Sequence, residues 1–385
     1  MKIIIVDPFS SVSNYCNLLA DSLSKLDNEI FLIGSNKSFN GRKLENKKIK
    51  KLPFITASLD FPLNKKFYFL QNLVRTVAYP IALLKIYLII KKNKIDVVHF
   101  QWSNIPILET IFIFFVKNQT KVFYTAHNTT LFHGEKKRIH QLFNLGREKF
   151  LRSLNKIIVH TEYSKKVLVN LYPHLVKKID IVPYGQEYFL SREEKDNNSN
   201  KETVLNSNET SILFFGQISF YKGIDILLEA VKVMQEKNFV IQIYGRPEID
   251  INQFLNYSKI NGISDKVKWN LSYLSNFELD EALKSSDILV FPYRHIDQSS
   301  ALMSSLIYGK PIVASKIGGF KEILKDKVNG YLFEKENFKE LALKLDSLIS
   351  SKTDREKFGL NNYELSKNWP SWLEISKITL DIYNS

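Results

Sequence analysis

The stretch that most narrows what this chain can fold into runs from Asp287 to Leu324, DILVFPYRHIDQSSALMSSLIYGKPIVASKIGGFKEIL. Its apolar run Ile288 to Phe291 reads as a buried strand that gives way to a polar turn. The turn opens a helix, because Leu302 and Leu306 share one face at i, i+4 spacing and the segment stops at Gly309. Pro311 starts a second apolar run, Ile312 to Ala314, which ends in a Gly318-Gly319 turn. Strand, helix and strand in that order build a parallel pair whose polar groups gather at the strands' carboxyl ends. Open α/β sheets bind ligands there, and the free N–H groups of a helix start suit an anion.

The same alternation fills the chain. Ile3 to Val6, Glu29 to Gly34, Ile95 to Phe100, Val122 to Thr125, Ile157 to His160 and Ile179 to Val182 read as strands of one series. Ile212 to Phe215, Val240 to Tyr244 and Val267 to Trp269 join the two runs above in a second. Short Val-, Ile- and Phe-rich runs between helices predict parallel sheets covered on both faces. A chain of 385 residues exceeds one ordinary core. Residues 189–210 are polar and nearly free of core formers, which reads as a linker. The expectation is α/β: two doubly wound, Rossmann-like domains, residues 1–188 and 211–368, with an interdomain cleft. A last helix within 369–385 packs back on the N-terminal domain or on the other.

Composition removes several classes. Apolar residues at 44% and charged residues at 24% fit a globular protein. The lone Cys16 excludes an internal disulfide and suits a reducing cytosol. The opening MKIIIVDPFS is too short an apolar run for a signal peptide, and no uncharged run reaches the roughly 18 residues of a membrane span. The expected location is therefore cytoplasmic. Net charge is +14 but uneven: Met1 to Asp180 holds 29 Lys and Arg against 12 Asp and Glu, net +17, and the remainder 25 against 28, net −3. Such asymmetry points to an anionic partner for the first half, a membrane leaflet or nucleic acid. No recognised nucleic-acid module accompanies it, so no nucleic-acid partner is expected. The stretch Phe67 to Lys92, split by Pro80, carries an apolar stripe of Phe69, Leu70, Leu73, Val74 and Val77, with Lys65, Lys66, Arg75, Lys91 and Lys92 as cations. It either lies on an anionic bilayer or forms a core-packed helical pair with solvated lysines.

Candidate chemistry sits at strand ends. In ILFFGQISFYKG, Ile212 to Gly223, Gly216 admits a close ligand and Lys222 stands where a helix begins. A cation there opposes the helix dipole, which a bound diphosphate would offset; the alternative is a solvated lysine. Asp297, Gln298, Ser299 and Ser300 exceed what one cap needs, though capping alone is the other reading. Tyr244 and Gly245 end another strand, and His127 in TAHN follows Val122 to Thr125. His99 and His160 also end strands and read as structural. The histidines lack ligand spacing, and one cysteine builds no zinc site.

Taken together, these segments resemble a GT-B glycosyltransferase of the large retaining family four, over nearly the whole chain and most strongly from Ile212 to Phe333. The matching positions are Gly216, Gln217, Lys222 and Gly223, then Gly245 and SYLSNFEL (Ser272 to Leu279). Pro292, Gly309, Pro311, Gly318, Gly319 and Glu322 follow, with VPYG (Val182 to Gly185) and HTEYSK (His160 to Lys165) upstream. The chain departs from the family where Gln217 replaces the diphosphate arginine and where Ile296 and Ser304 replace a pair of glutamates. Asp297, in the variant loop IDQS, lies one position later, and SSVSN (Ser10 to Asn14) replaces a glycine-rich first loop.

The resemblance implies a nucleotide-diphosphate sugar as donor, no metal or other cofactor, and transfer with retention. Lys222 would hold the diphosphate with backbone N–H groups near Ser299, Ser300 and Ala301, while Asp297, Gln298 and Ser304 meet the donor sugar. Gly216, Gln217, Tyr244 and Gly245 would line the donor site, with Tyr273 and Leu274 facing the base. His127 would stand by the reacting hydroxyl, and Ser13, Asn14 and Asn128 on the acceptor side. The acceptor implied is a saccharide, lipid-linked by preference, in surface polysaccharide assembly at the inner membrane face. A second reading stays open: a non-catalytic GT-B protein that binds a nucleotide sugar or escorts a partner transferase, suggested by the missing arginine and glutamates.

Overall fold

The computed structural model describes residues 1–9, 11–34, 46–53, 68–129, 145–187 and 209–385, with 68–76 described by backbone alone. The described residues form two compact units, each built on its own parallel sheet. The first takes the chain up to Gly185 together with Pro370–Ser385, and the second spans Gln186–Trp369.

In the first unit, β1 (Lys2–Val6), β2 (Glu29–Gly34), β3 (Ile49–Pro53), β4 (Val97–Phe100), β5 (Lys121–Thr125), β6 (Lys156–Val159) and β7 (Ile179–Ile181) lie in the order β3-β2-β1-β4-β5-β6-β7. Every pairing is parallel, with Ile4 beside Phe31 on one flank and Val98 on the other. Helices α1 (Ser13–Lys25), α2 (Tyr68–Asn93), α3 (Pro106–Val116), α4 (Arg147–Ser153) and α5 (Glu162–Leu171) connect the strands. Ile3, Ile4, Ile5 and Val6 are wholly buried, as a central strand covered on both faces requires. Pro80 does not split the Phe67 to Lys92 stretch as expected, for α2 runs unbroken through it. Lys65, Lys66 and Phe67, and the side chains of Phe69, Leu70, Leu73, Val74 and Arg75, lie outside the described residues.

The second unit orders β8 (Thr210–Phe215), β9 (Phe239–Tyr244), β10 (Val267–Asn270), β11 (Ile288–Phe291), β12 (Ile312–Ser315) and β13 (Gly330–Phe333) as β10-β9-β8-β11-β12-β13, again all parallel. Its helices are α6 (Ile224–Val233), α7 (Asn252–Ile260), α8 (Asn276–Ser285), α9 (Ser300–Ser305), α10 (Phe320–Ile323), α11 (Phe338–Ser350) and α12 (Lys352–Lys367). Of the linker 189–210, residues 189–208 lie outside the described residues, and Thr210 opens β8.

In both sheets the first strand in sequence sits centrally and the chain proceeds outward on one side, then on the other. The reversal falls between β1 and β4 and between β8 and β11. Loops leaving those neighbouring strands diverge, and the opening they leave at the carboxyl ends is where such sheets take ligands. The C-terminal helix, Trp372–Asn384, belongs to the first unit: its Ser371–Glu374 capping box starts it, and Ser22 on α1 donates 2.8 Å to the Trp372 carbonyl.

Candidate functional site

At the carboxyl edge of the second sheet, β8 and β9 end in glycines whose backbones touch. The Gly216 N–H donates 2.9 Å to the Tyr244 carbonyl, and the Gly245 N–H donates 2.8 Å to Asn270. A Cβ on Gly245 would sit 2.0 Å from the Gly216 carbonyl oxygen, and the Gly245 φ of 151° adds strain for any L side chain. Two bare backbones can therefore abut here, leaving room above them.

Lys222 fills part of that room. It lies in the short turn Phe220–Lys222 before α6, and its side chain folds back toward β8. Its Nζ would stand 2.7 Å from a Cβ built on Gly216 and is 5.3 Å from the centre of the Tyr293 ring. Only 7% of Lys222 is exposed. Among the described residues its ammonium makes no hydrogen bond or ion pair. Burial pulls its pKa down to about 8, against a smaller upward pull from Glu248. The Tyr293 hydroxyl is also buried without a hydrogen-bond partner among the described residues. Buried polar groups are normally paired, and a buried cation lacking a counter-charge is the costlier case. A bound anion would supply the counter-charge that Lys222 lacks among the described residues.

Neighbouring charges are already committed. Arg294 donates to both carboxylate oxygens of Asp225, to Glu336 and to the Phe220 carbonyl, and its guanidinium lies 4.3 Å from the centre of the Phe220 ring. It thus clamps the turn carrying Lys222 onto the end of β11, where the Arg294 N–H also donates 2.7 Å to the Tyr221 carbonyl. The Gln217 amide, exposed, donates to the Glu248 carboxylate.

The loop after β11 supplies the other predicted donor residues. Ser299 caps α9 by accepting from the Leu302 N–H at 3.2 Å, so capping accounts for that hydroxyl. Asp297 and Ser304 are each 2% exposed, whereas Gln298 and Ala301 are half-buried and Ser300 exposed. Tyr273 and Leu274 follow β10, with Tyr273 standing 83% exposed. The fold thus brings Gly216, Gln217, Lys222, Tyr244, Gly245, Tyr273, Leu274 and the 297–304 loop to one edge, through the adjacent strands β10, β9, β8 and β11.

The remaining predicted residues belong to the first unit. Ser13 and Asn14 open α1, whose approach is held by Asp7 accepting from the Ser11 and Val12 N–H groups at 2.9 Å each. His127 and Asn128 follow β5. His127, 7% exposed, is the middle of a buried chain. His160 Nδ1 meets the Val182 carbonyl at 2.9 Å, and His160 Nε2 meets His127 Nδ1 at 3.1 Å. His127 Nε2 meets the Gln101 amide at 3.1 Å, and that amide meets His99 Nδ1 at 3.1 Å. His99 Nε2 reaches Thr125 at 2.7 Å, and Tyr383 of the C-terminal helix reaches His99 Nδ1 at 2.6 Å.

Tautomer logic orders this chain. A carbonyl partner forces the proton onto His160 Nδ1, so His160 Nε2 accepts and His127 must donate from Nδ1. A neutral His127 then accepts at Nε2, which requires the Gln101 NH2 group there. With the Gln101 oxygen facing His127 instead, the chain carries one more proton, on His127 or His160. Burial holds His127 well below the ordinary imidazole range and brings His160 to about 4 and His99 to about 3. The neutral pattern therefore prevails near neutral pH with the Gln101 amide turned over, since the placement shown sets Gln101 Oε1 against His127 Nε2 and Gln101 Nε2 against His99 Nδ1. His160 and His99, read as structural from sequence, are direct or second neighbours of His127. Gln101, Tyr293 and Arg294 carried no sequence signal, since each works through a contact distant in the chain.

Comparison with known proteins agrees with this architecture. A family model described as Glycosyltransferase Family 4 matches residues 12–186, and one described as Glycosyl transferases group 1 matches residues 195–365. An uncharacterized glycosyltransferase of Methanocaldococcus jannaschii is 29% identical over 205 residues, 53% of this chain and 52% of that protein. A second from the same archaeon is 31% identical over 183 residues, 46% of this chain and 48% of that protein. The chain thus spans about half the length of these curated relatives. The crystal structure of Anabaena HepE in complex with UDP superposes with a TM-score of 0.75 over 100% of both chains at 13% identity, a likeness of fold. The chain belongs to the glycosyltransferases, with family 4 and group 1 segments in succession.

Proposed function

We propose that this protein transfers a sugar from a nucleotide-diphosphate sugar to a saccharide acceptor, keeping the donor's anomeric configuration and needing no metal ion. The observation that carries the donor half is Lys222, a buried ammonium without a counter-charge among the described residues, at the carboxyl end of β8. Structural neighbours solved with UDP and with UDP-glucose make a uridine nucleotide the first donor to try.

In this reading the bond between the sugar's anomeric carbon and the diphosphate breaks, and the electron pair leaves with the diphosphate. The acceptor oxygen bonds to that carbon on the same face, and its proton passes to the departing diphosphate. Lys222 and the N–H groups at the start of α9 meet the charge that develops on the leaving group. At an effective dielectric near 20, one charge pair at about 4 Å contributes roughly 4 kcal/mol. Asp297, Gln298 and Ser304 contact the donor sugar. Both ring nitrogens of His127 serve the internal chain, so it neither abstracts a proton nor bonds an acceptor hydroxyl; it holds the end of β5 in place on the acceptor side. A lipid-linked acceptor in surface polysaccharide assembly fits the basic first half, and a relative encoded in a Klebsiella pneumoniae cps region, 25% identical over 75% of this chain and 80% of that protein, suits it.

The rival reading, a non-catalytic binder, rests on Gln217, Ile296 and Ser304 standing where the family pattern has charged residues. Incubation with a panel of nucleotide sugars, following release of free nucleoside diphosphate, separates the two. Slow release from one donor, its product retaining the donor's configuration, supports the transferase. Tight nucleotide binding with no release over days supports the binder.

A further inference from the structure

On α2 the residues facing the core are Tyr79, Ala82, Leu83, Ile86 and Ile90. The opposite face is apolar too: Val77, Ile81, Leu84 and Leu88, spaced i, i+4, i+7 and i+11, are 51–64% exposed. Helix α3 repeats the arrangement. Phe112, Ile113 and Val116 are buried, while Ile107, Ile111, Phe114 and Phe115 are 39–64% exposed. The two helices are tied together by the buried Tyr79 hydroxyl, which donates 2.5 Å to Glu109.

Charge on this pair has one sign at the surface. Lys85, Lys91 and Lys92 on α2 and Lys117 just after α3 are exposed, and Lys117 rests 4.9 Å from the centre of the Phe114 ring. The acidic side chain within either helix, Glu109, is fully buried and held by Tyr79, Ser103 and the N–H groups of Asn104 and Ile105. Isolated exposed apolar residues need no explanation, but two adjacent helices presenting such faces together do. No helix among the described residues is long and apolar enough to cross a membrane.

We propose that the outer faces of α2 and α3 dock flat on an anionic lipid bilayer, the apolar side chains entering the headgroup boundary and the lysines meeting lipid phosphates. A second copy of the chain is disfavoured, because it would bring like-charged lysines together. The proposal rests on surface chemistry and stands apart from the transferase reading.

The test is co-sedimentation of the full chain with vesicles of phosphatidylcholine, with and without phosphatidylglycerol. The expected result is binding to the anionic vesicles that weakens as salt rises. Phe114→Ser with Phe115→Ser, or Leu84→Ser with Leu88→Ser, should lower the bound fraction by about five-fold or more, and Lys91→Glu with Lys92→Glu likewise. All these positions are exposed, so far-UV circular dichroism and melting should not change. Equal binding to both vesicle types, or wild-type binding by the serine variants, would overturn the proposal. So would a concentration-dependent dimer that the phenylalanine variants abolish, since the occupant would then be a second copy.

Discussion

The ammonium of Lys222 is laid over Gly216, at a spot where a methyl group on that glycine would come within 2.7 Å of it. Glycine is the residue that leaves this place open, and the lysine reaches it by folding back from the start of α6. Replacing Lys222 with Met keeps the stem and removes the charge. Burial already opposes that charge, so Lys222→Met should melt no lower than the wild type while losing about two to three decades of turnover. Thermal melts beside a donor-cleavage assay check both halves, and a variant as active as the parent would refute the assignment.

The low pKa of Lys222 gives nucleotide binding a pH signature. In the free protein the ammonium deprotonates near pH 8, and a diphosphate prefers the charged form. Affinity for UDP should hold below pH 8 and then fall by up to roughly ten-fold per unit above it. Proton uptake on binding at pH 9, read in buffers of differing ionisation enthalpy, is the companion observation. In the absence of ligand the sign is opposite for stability: between about 8 and the unfolded value of 10.5 only the unfolded chain holds this proton, so folding strengthens as pH rises.

Acid should loosen the first unit through its histidine chain. His99, His127 and His160 are neutral when folded and titrate near 6.5 when unfolded, so the unfolded state holds more protons below that value. Stability should decline as pH drops from 6.5 toward about 4, by up to roughly 1.4 kcal/mol per unit for each histidine. Urea titrations at several pH values measure this, and a His160→Asn variant should show a shallower decline. Nitrogen-15 NMR should find His127 and His160 protonated at Nδ1 near pH 7.5.

Gly318 sets the loop that holds Asp297. A Cβ on Gly318 would fall 1.6 Å from the Ile296 carbonyl oxygen, and its φ of 42° adds strain. Gly318→Ala should therefore displace Ile296 and Asp297, lowering stability by about 1–3 kcal/mol and donor use more than nucleotide affinity. Michaelis constants for donor beside calorimetric UDP affinity would show the difference.

Much of the fold was legible because central parallel strands are continuous apolar runs, as β1 and β11 are. Two strands were not. β3, IKKLP, is an edge strand with two lysines and a proline, and β13 is four residues led by glycine. The lysines and proline of β3, and the leading glycine of β13, break the apolar run that marks a buried strand. Lys222 was visible as a cation opposed to a helix dipole, but its partner-free burial was not, since that depends on Tyr293 and Gly216 closing around it. The Gln101 link was hidden for a similar reason: residues 99, 101, 127 and 160 meet through sheet neighbours, not through sequence spacing.

Calorimetric titration of UDP into the wild type and Lys222→Met at pH 7 addresses the donor site most directly. The wild type should bind saturably and the variant at least about ten-fold more weakly. Equal affinities, with both proteins folded, would contradict the donor-site assignment.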